Sequence, residues 1–247
     1  LKFNLVKGFL NLTISDQYFI NELKRVDEIK NYGFKIRKSD SELIIVEFSS
    51  PNTNKPLHLG HIRNNLLGHS VSKILEANGK NVIRTQVIND RGIHICKSMI
   101  AWKLFSNNET PESSGIKGDQ LVGKYYVKYN EVFNEQVSDL IKNGKSEDES
   151  IKSAPIFISA QELLRLWESG DKSTIELWKK MNNWVYNGFE ITYNNLGVFF
   201  DSLYYESNTY LLGKDLIKKG LSKKVFYKKE DGSIWIDLTD EGLDEKL

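Results

Sequence analysis

The segment from residue 42 to residue 88 constrains the fold of this chain more than any other. Glu42–Phe48 (ELIIVEF) is a continuous apolar, β-branched run, which is typical of a strand buried on both faces of a parallel sheet. After a polar loop, apolar residues recur at helical spacing as far as Gly79, which is placed to end a helix. Val82–Ile88 then has the composition of a second strand. This order forms a βαβ unit, which predicts an α/β fold built on a Rossmann-like parallel sheet.

Two loops of this unit are candidates for ligand binding. Ser49–Pro56 follows the first strand, and Asn89–Gly92 follows the second. Ligands of open parallel sheets bind at the carboxyl ends of the strands. We therefore expect the two loops to lie side by side and to form the site.

Residues from about 106 to 195 are predicted to form a mostly helical insertion in the sheet domain. It begins with the polar loop Ser106–Gly118 and contains a charged spacer at Lys142–Ser153. Val198–Tyr205 returns to strand character, and Asp231-Gly232 indicates a later hairpin.

The two ends of the chain suggest its domain organisation. Residues 1–30 are expected to be the end of an N-terminal domain or a lead-in segment, and residues 31–247 the Rossmann-like domain. The alternative is that residues 1–30 carry the first helix of that same domain. Because the chain opens on Leu1 and stops soon after a strand-like run, we expect a truncated piece that is incomplete at its C-terminus.

Composition excludes several classes of protein. The single cysteine, Cys96, excludes a disulfide framework and favours a cytoplasmic setting. Lysine and arginine (34) balance aspartate and glutamate (33), so the net charge of +1 gives no sign of a nucleic-acid partner. No apolar run approaches the roughly 20 residues that a membrane span needs. The N-terminus also lacks the features of a signal peptide, so no membrane partner is expected.

The segment Pro56–His61 (PLHLGH) carries the clearest chemistry. It opens the predicted helix, whose free N–H groups and positive dipole end favour anions. His58 and His61 are three residues apart and can face the same way, and Gly60 lets a ligand approach the backbone. Lys55 adds a mobile positive charge. These residues predict a site for a polyphosphate whose charge grows during reaction.

Two alternatives compete with this interpretation. The plainer one is a helix start with incidental histidines. The other is a metal site formed by His58, His61, His94 and Cys96, since two histidines three residues apart are a possible ligand pair. No carboxylate lies at metalloprotease spacing, and Lys55 would repel a cation, so we expect no metal ligands in this chain.

A longer run of residues resembles a known family. Val46–Asn64 (VEFSSPNTNKPLHLGHIRN) contains the HxGH signature of class I aminoacyl-tRNA synthetases and resembles the arginyl-tRNA synthetases in particular. Val82-Ile83-Arg84, followed by Asn89–His94 (NDRGIH), is similar to the second signature of that family. Arg91 stands where many members carry Trp, and His94 where many carry Gln.

The resemblance implies an ATP-dependent aminoacyl-tRNA ligase. Such an enzyme activates L-arginine with ATP, accompanied by Mg²⁺, to arginyl-adenylate and then transfers it to the terminal ribose of tRNA(Arg). A cytoplasmic monomer is expected. By the same resemblance, the catalytic residues are Lys55, His58 and His61, and Pro51 and Gly60 join them in binding ATP.

The arginine-binding residues are also implied by the resemblance. A guanidinium is best held by a carboxylate that accepts a fork of hydrogen bonds, whereas an amide suits the amino-acid head group. The expected contacts are Glu47, Ser49, Asn52, Asp90, His94 and Glu206. Asp90 could instead cap the helix that follows it.

No segment of these residues matches the KMSK-like loop of the family. We therefore expect this chain alone to be weak or inactive. One alternative function is another class I nucleotidylyltransferase without an RNA partner. A second is a non-catalytic RNA-binding module that uses the basic stretch Lys214–Lys229.

Overall fold

The predicted βαβ segment forms in the computed structural model, which describes residues 1–229 and 232–239. Strand β3 is Leu43–Glu47, helix α2 is Leu59–Ala77 and strand β4 is Asn81–Ile88. Gly79 has a positive φ of 80°, as expected for a residue that ends a helix. The other elements, in chain order, are β1 (Lys2–Val6), β2 (Phe9–Thr13), α1 (Asp16–Glu28), α3 (Ile93–Phe105), α4 (Pro111–Ser114), α5 (Gly118–Lys142), α6 (Glu147–Ser153), α7 (Pro155–Ser169), α8 (Lys172–Leu196), β5 (Ser202–Tyr205), α9 (Glu206–Ser222), β6 (Phe226–Lys228) and β7 (Ile234–Ile236).

The central sheet has the strand order β3-β4-β5. Strands β4 and β5 are parallel, and their register ends with Ile88 opposite Tyr205. Just after β3, the Phe48 N–H donates to the Thr85 carbonyl of β4 at 3.1 Å. The expected α/β fold with a parallel sheet is therefore confirmed, and the residues that follow β4 and β5 emerge at the same edge.

Strand β3 is less buried than its sequence suggests. The side chains of Leu43 and Ile45 are 58% and 65% exposed, whereas Ile44 and Val46 are half-buried. The prediction of burial on both faces is therefore wrong. Alternate side chains point to opposite faces of a strand, and within the described residues only one face of β3 is covered.

The main hydrophobic core lies between helices. Its buried residues come from α3, α5, α7 and α8, and include Met99, Leu121, Tyr129, Ile156, Leu163, Met181, Val185 and Phe189. Glycines allow α5 and α8 to approach closely: a Cβ at Gly118 would collide with the Trp184 carbonyl, and one at Gly188 with the Asp119 carboxylate. Because this core is formed mainly by the predicted insertion, the insertion gives the sheet edge a rigid neighbour.

Local capping produces two short helices where the sequence predicted irregular chain. The charged spacer Lys142–Ser153 contains α6, because Ser146 and Glu149 form a reciprocal capping box at its start. The predicted loop Ser106–Gly118 contains the single turn α4, which Thr110 caps in the same way. No described helix is long and apolar enough to span a membrane.

The chain folds into two compact units. The first comprises Leu1–Ile44 and Val71–Val82, and the second comprises Ile45–Ser70 and the chain from Ile83 onward. In the first unit, β1 and β2 form an antiparallel hairpin that precedes α1. The predicted boundary near residue 30 remains a prediction. The expected site residues all belong to the second unit.

The predicted late hairpin is partly described. Strands β6 and β7 pair antiparallel, with Phe226 opposite Ile236. Gly232 has a positive φ of 86°, whereas Asp231 lies outside the described residues.

Candidate active site

The two loops at the carboxyl ends of β3 and β4 are joined by backbone hydrogen bonds. The Asn89 N–H donates to the Pro51 carbonyl at 3.0 Å, and the Thr53 N–H donates to the Asn89 carbonyl at 3.0 Å. Asn52 and Asn89 accordingly form a parallel bridge. The expectation that the two loops lie side by side is confirmed.

The turn after β3 is held in an unusual backbone conformation. Ser49 and Ser50 both have positive φ, at 68° and 42°, a region that non-glycine residues occupy only when their surroundings enforce it. The Ser49 N–H donates to Asn64 Oδ1 on α2 at 2.5 Å. Ser50 Oγ accepts from the Val87 N–H at 3.0 Å and donates to the Glu47 carboxylate at 2.8 Å. The strained turn therefore has a fixed shape.

A buried tyrosine supports the same turn from α8. Tyr193 OH donates to Gln86 Oε1 at 3.0 Å and lies 2.8 Å from Ser49 Oγ. Because the phenol has one proton and gives it to Gln86, Ser49 must be the donor in the second bond. Burial raises the pKa of Tyr193 to about 12, so the phenol stays protonated. The chain Ser49–Tyr193–Gln86 thus links the turn to the interior of β4.

The two histidines of the HxGH segment fold over the start of α2. The Gly60 N–H donates to His58 Nδ1 at 3.1 Å, and the His58 N–H donates to His61 Nδ1 at 3.2 Å. The ring centroids are 4.0 Å apart. Since each Nδ1 accepts a hydrogen bond, the proton of each neutral ring sits on Nε2. Each ring therefore keeps an Nε2–H donor for a ligand.

Positive charge is concentrated around these rings. The pKa of His61 lies below its ordinary value because of burial, and because of the charges of His58 and Lys55. The pKa of His94 is also lowered by burial, by Lys97 and by Lys55. The exposed Lys55 has no ion-pair partner within residues 1–229 and 232–239. An unneutralised lysine beside two imidazoles favours an anionic ligand.

Helix α5, which lies in the predicted insertion, contacts the loop before the HxGH segment directly. A Cβ at Gly123 of α5 would lie 2.6 Å from Pro56 Cδ, so only glycine allows this contact. Beside it, His94 Nδ1 lies 3.0 Å from Tyr126 OH, again on α5. Helix α5 therefore supports both the loop before α2 and the first turn of α3.

Asp90 is buried and fully engaged. Its side chain is 1% exposed, and it accepts hydrogen bonds from the Ser207 N–H (2.8 Å), Ser207 Oγ (2.7 Å) and Tyr186 OH (2.9 Å). The alternative in which Asp90 caps the following helix is wrong, because α3 begins after Gly92 without a side-chain cap. Asp90 instead caps α9, which lies far along the chain. Its expected direct contact with arginine remains a prediction.

Glu206 and Asn52 are expected arginine contacts whose side chains have no partner among the described residues. Glu206 is the half-buried first residue of α9, directly after β5, where the helix dipole favours a carboxylate. In the part of the chain that the structure describes, neither the Glu206 carboxylate nor the Asn52 amide has a hydrogen-bond or ion-pair partner. Glu47, a further expected contact, is exposed at the end of β3. Its carboxylate accepts the Ser50 hydroxyl.

A metal site receives no support from Cys96. Its thiol is 2% exposed, and burial raises its pKa to about 12, which opposes the thiolate that a metal would need. Across the described ranges, no group of three or more His, Cys, Asp and Glu residues is arranged to hold a metal ion.

Comparison with known proteins decides the family. Residues 25–245 match the model of tRNA synthetases class I (R), catalytic domain, and this span includes both signature segments. The chain belongs to the arginyl-tRNA synthetase family. The resemblance inferred from Val46–Asn64 and Asn89–His94 is thereby confirmed.

Curated relatives and solved structures agree with this assignment. The chain is 57% identical over 245 residues to the arginine–tRNA ligase of Flavobacterium psychrophilum, and 55% identical to that of Amoebophilus asiaticus. Both matches cover 99% of this chain, which spans about two fifths (41%) of the length of these relatives. The structure of Thermus thermophilus arginyl-tRNA synthetase has a TM-score of 0.60 at 21% identity, covering 100% of this chain and 38% of that one. The Plasmodium falciparum arginyl-tRNA synthetase has a TM-score of 0.56 at 19% identity, covering 100% and 39%. These structures share the fold.

The departure from the arginyl-tRNA synthetase pattern at Arg91 has a structural explanation. Its guanidinium lies 3.7 Å from the ring centroid of Tyr210 and 5.2 Å from that of Trp167, and it pairs with Glu168 at 3.0 Å. Arg91 therefore links the loop after β4 to α7 and α9 by stacking and charge.

Sequence reasoning missed several residues that shape the site in this family member. They are polar residues that act through other residues: Asn64, Gln86, Tyr186, Tyr193 and Ser207. Gln86 gave the one usable signal, since an amide in the middle of a buried strand requires a partner. The partners on α8 and α9 carried no local signal.

Proposed function

We propose that this protein attaches L-arginine to tRNA(Arg) at the expense of ATP. The observation that carries the proposal is the arrangement at one sheet edge. The HxGH segment with Lys55 forms an anion site after β3. The Glu206 carboxylate, which has no partner among the described residues, follows β5. One half suits a polyphosphate and the other suits a guanidinium.

In the first step, the arginine carboxylate attacks the α-phosphorus of ATP. A P–O bond to the amino acid forms while the bond to pyrophosphate breaks, and no proton has to be removed from the nucleophile. Lys55 and the Nε2–H groups of His58 and His61 stabilise the charge that builds on the phosphates. Gly60 and Pro51 lie along the nucleotide. Mg²⁺ would neutralise part of the phosphate charge when it enters with ATP.

The proposed arginine contacts follow from the charge and polarity of the side chains at this sheet edge. Glu206 accepts hydrogen bonds from the guanidinium, for which a carboxylate is the matched partner. Asn52 and Ser49 lie on the fixed turn after β3 and suit the amino-acid head group. Glu47 and His94 border the same edge and are proposed as further contacts.

In the second step, a hydroxyl of the terminal ribose of tRNA(Arg) attacks the arginyl carbonyl carbon, and AMP leaves. Recognition of the tRNA is proposed from the family alone. We also propose that the protein acts as a monomer in the cytoplasm.

ATP–pyrophosphate exchange tests the proposal. The full-length protein is assayed with and without arginine and tRNA, and H58A and H61A are assayed beside it. Exchange that depends on arginine and tRNA, and that falls by at least about a hundredfold in both variants, supports the proposal. Exchange that does not depend on arginine would identify the protein as another nucleotidylyltransferase. Salt-sensitive tRNA binding that survives both variants, with no exchange at all, would identify an RNA-binding module.

The 247-residue chain is expected to perform poorly in the same assay by itself. It spans about two fifths of the length of its curated relatives. Exchange by this chain at the rate of the full-length protein would contradict this part of the proposal.

A further inference from the structure

Helix α9 receives its N-terminal cap from a distant part of the chain. Tyr205 occupies the N-cap position and makes no side-chain cap hydrogen bond. Asp90 supplies the missing acceptor, because its Oδ1 takes the Ser207 N–H at 2.8 Å and its Oδ2 takes the Ser207 hydroxyl at 2.7 Å. The first turn of α9 is therefore attached to the loop after β4.

Asp90 is itself held by α8. Tyr186 OH donates to its carboxylate at 2.9 Å, while Trp178 Nε1 (2.6 Å) and Asn182 Nδ2 (3.2 Å) donate to its backbone carbonyl. Burial and the Asp90 charge both raise the pKa of Tyr186, so its phenol stays a neutral donor. With the side chain 1% exposed, Asp90 cannot reorient without breaking several hydrogen bonds.

The contacts of Tyr205 and Ser207 fix the backbone of Glu206, which lies between them in the chain. On one side of Glu206, Tyr205 is in register with Ile88 of β4. On the other side, Ser207 is bonded to Asp90 through both its backbone and its side chain. The backbone of Glu206 is thus held from both directions, while its carboxylate has no partner among the described residues.

We propose that Asp90 is a positioning residue that orients Glu206 for the arginine guanidinium, acting through Ser207 and held in place by Tyr186. This inference rests on the proposed function and replaces a direct contact of Asp90 with arginine. The reason is that three donors already occupy the Asp90 carboxylate, whereas no described residue donates to the Glu206 carboxylate. Recognition of the amino acid therefore depends on α8 of the insertion.

The experiment compares D90N, S207A and Y186F with E206Q in the full-length protein. Exchange kinetics give the KM for arginine and the KM for ATP, and thermal melting reports folding. Y204F is the matched control, because Tyr204 is an exposed neighbour on β5 whose hydroxyl has no hydrogen-bond partner among the described residues. The network borders a cavity of about 380 Å³, where water can replace the Tyr186 hydroxyl, so Y186F should fold.

The expected result separates positioning from general stability. D90N and E206Q should raise the arginine KM by at least about tenfold, the size expected when hydrogen bonds to a charged group are weakened. S207A and Y186F should raise it by about threefold or more, and S207T should restore the S207A loss. The KM for ATP should stay within about twofold in all of them, and Y204F should match the unmodified protein.

Other outcomes overturn the inference. If E206Q raises the arginine KM but D90N and S207A do not, the positioning role fails while the proposed function stands. A parallel rise of both KM values would mean a structural role only. If E206Q leaves the KM for arginine unchanged, Glu206 does not contact arginine and the inference fails. Arginine-dependent exchange would still support the proposed function. If D90N does not fold, S207A and its S207T rescue decide the question.

Discussion

The His58 ring occupies space that exists only because residue 60 is glycine. The Gly60 N–H donates to His58 Nδ1 at 3.1 Å, and a Cβ on Gly60 would stand 2.9 Å from Cε1 of the same ring. The glycine therefore determines where this imidazole sits, and the backbone N–H of residue 60 determines which nitrogen carries its proton. The sequence also predicts that Gly60 leaves room for the nucleotide, which is a separate requirement for glycine at this position.

The substitution G60A should impair ATP use without destabilising the fold. The added methyl displaces the His58 ring, so the KM for ATP should rise by about tenfold, as for loss of one charge-assisted contact. Helix propensity acts in the opposite direction, so the melting temperature should be unchanged or higher. G213A is the control, because a Cβ there meets open space in α9 and should stabilise by up to about 1 kcal/mol without affecting kinetics. A G60A protein with normal ATP kinetics would contradict this account.

ATP binding should take up protons at neutral pH. The pKa of His61 is lowered by burial and by the charges of His58 and Lys55, so the ring of the free protein is mostly neutral at pH 7. A bound polyphosphate reverses this balance and raises the pKa, so binding tightens as pH falls from about 8 to about 6. Calorimetry in two buffers of different ionisation enthalpy measures the uptake. ATP itself also titrates in this pH range, so the proton uptake of the H61N variant serves as the reference. Equal proton uptake by H61N and the unmodified protein would exclude His61 as the group that takes up the proton.

The same lowered pKa has a consequence for folding. The unfolded chain binds a proton at His61 more readily than the folded chain does. Neutral His61 therefore contributes fully to the stability of the folded protein at pH values above 6.5, the ordinary histidine pKa. This contribution is lost as the pH falls through the lower pKa that His61 has in the folded protein. Acid unfolding of H61N should consequently show a weaker pH dependence in this window.

Removal of the Lys55 charge should weaken ATP binding selectively. Lys55 is exposed and acts on both His61 and His94. K55A should raise the KM for ATP by about ten- to a hundredfold and leave the arginine KM nearly unchanged, because a charge-assisted phosphate contact is lost. K142A removes an exposed lysine whose ion pair with Asp139 contributes little, and it should have no effect. A larger effect of K55A on arginine than on ATP would refute the assignment.

The Tyr193 hydroxyl should contribute to both stability and arginine affinity. Y193F removes the partner of Gln86 and Ser49, which leaves a buried amide oxygen unsatisfied. The free energy of unfolding should fall by about 1–3 kcal/mol in denaturant titration. The arginine KM should also rise, since Ser49 loses one of the bonds that hold its positive φ. Y204F, an exposed hydroxyl, should change stability by less than about 0.5 kcal/mol. A stable Y193F with a normal arginine KM would show that Asn64 and Val87 hold the turn unaided.

The elements around the site were predictable where one segment carried its own pattern. The HxGH segment opens α2 and Gly79 follows its end as expected, because hydrophobic periodicity and glycine placement are local signals. The solvent-facing side of β3 was not predictable, because burial depends on what covers a strand rather than on its composition.

The links between distant residues were not predictable from the sequence. Asp90 precedes α3 by a few residues, so capping of that helix was a reasonable expectation, yet its carboxylate bonds to Ser207 on α9. The stacking of Arg91 between Trp167 and Tyr210 likewise joins three separate segments. Such contacts follow from packing in three dimensions, whereas a sequence shows only the partners available.

The contact between Gly123 and Pro56 matters for anyone who wishes to shorten this protein. Replacing α4–α8 by a short linker would preserve every residue of the HxGH segment, yet it would remove the helix surface against which Pro56 rests. The same deletion would take away Tyr186 and Tyr193. A shortened protein would therefore need a substitute scaffold at these three points to hold its signature residues in place.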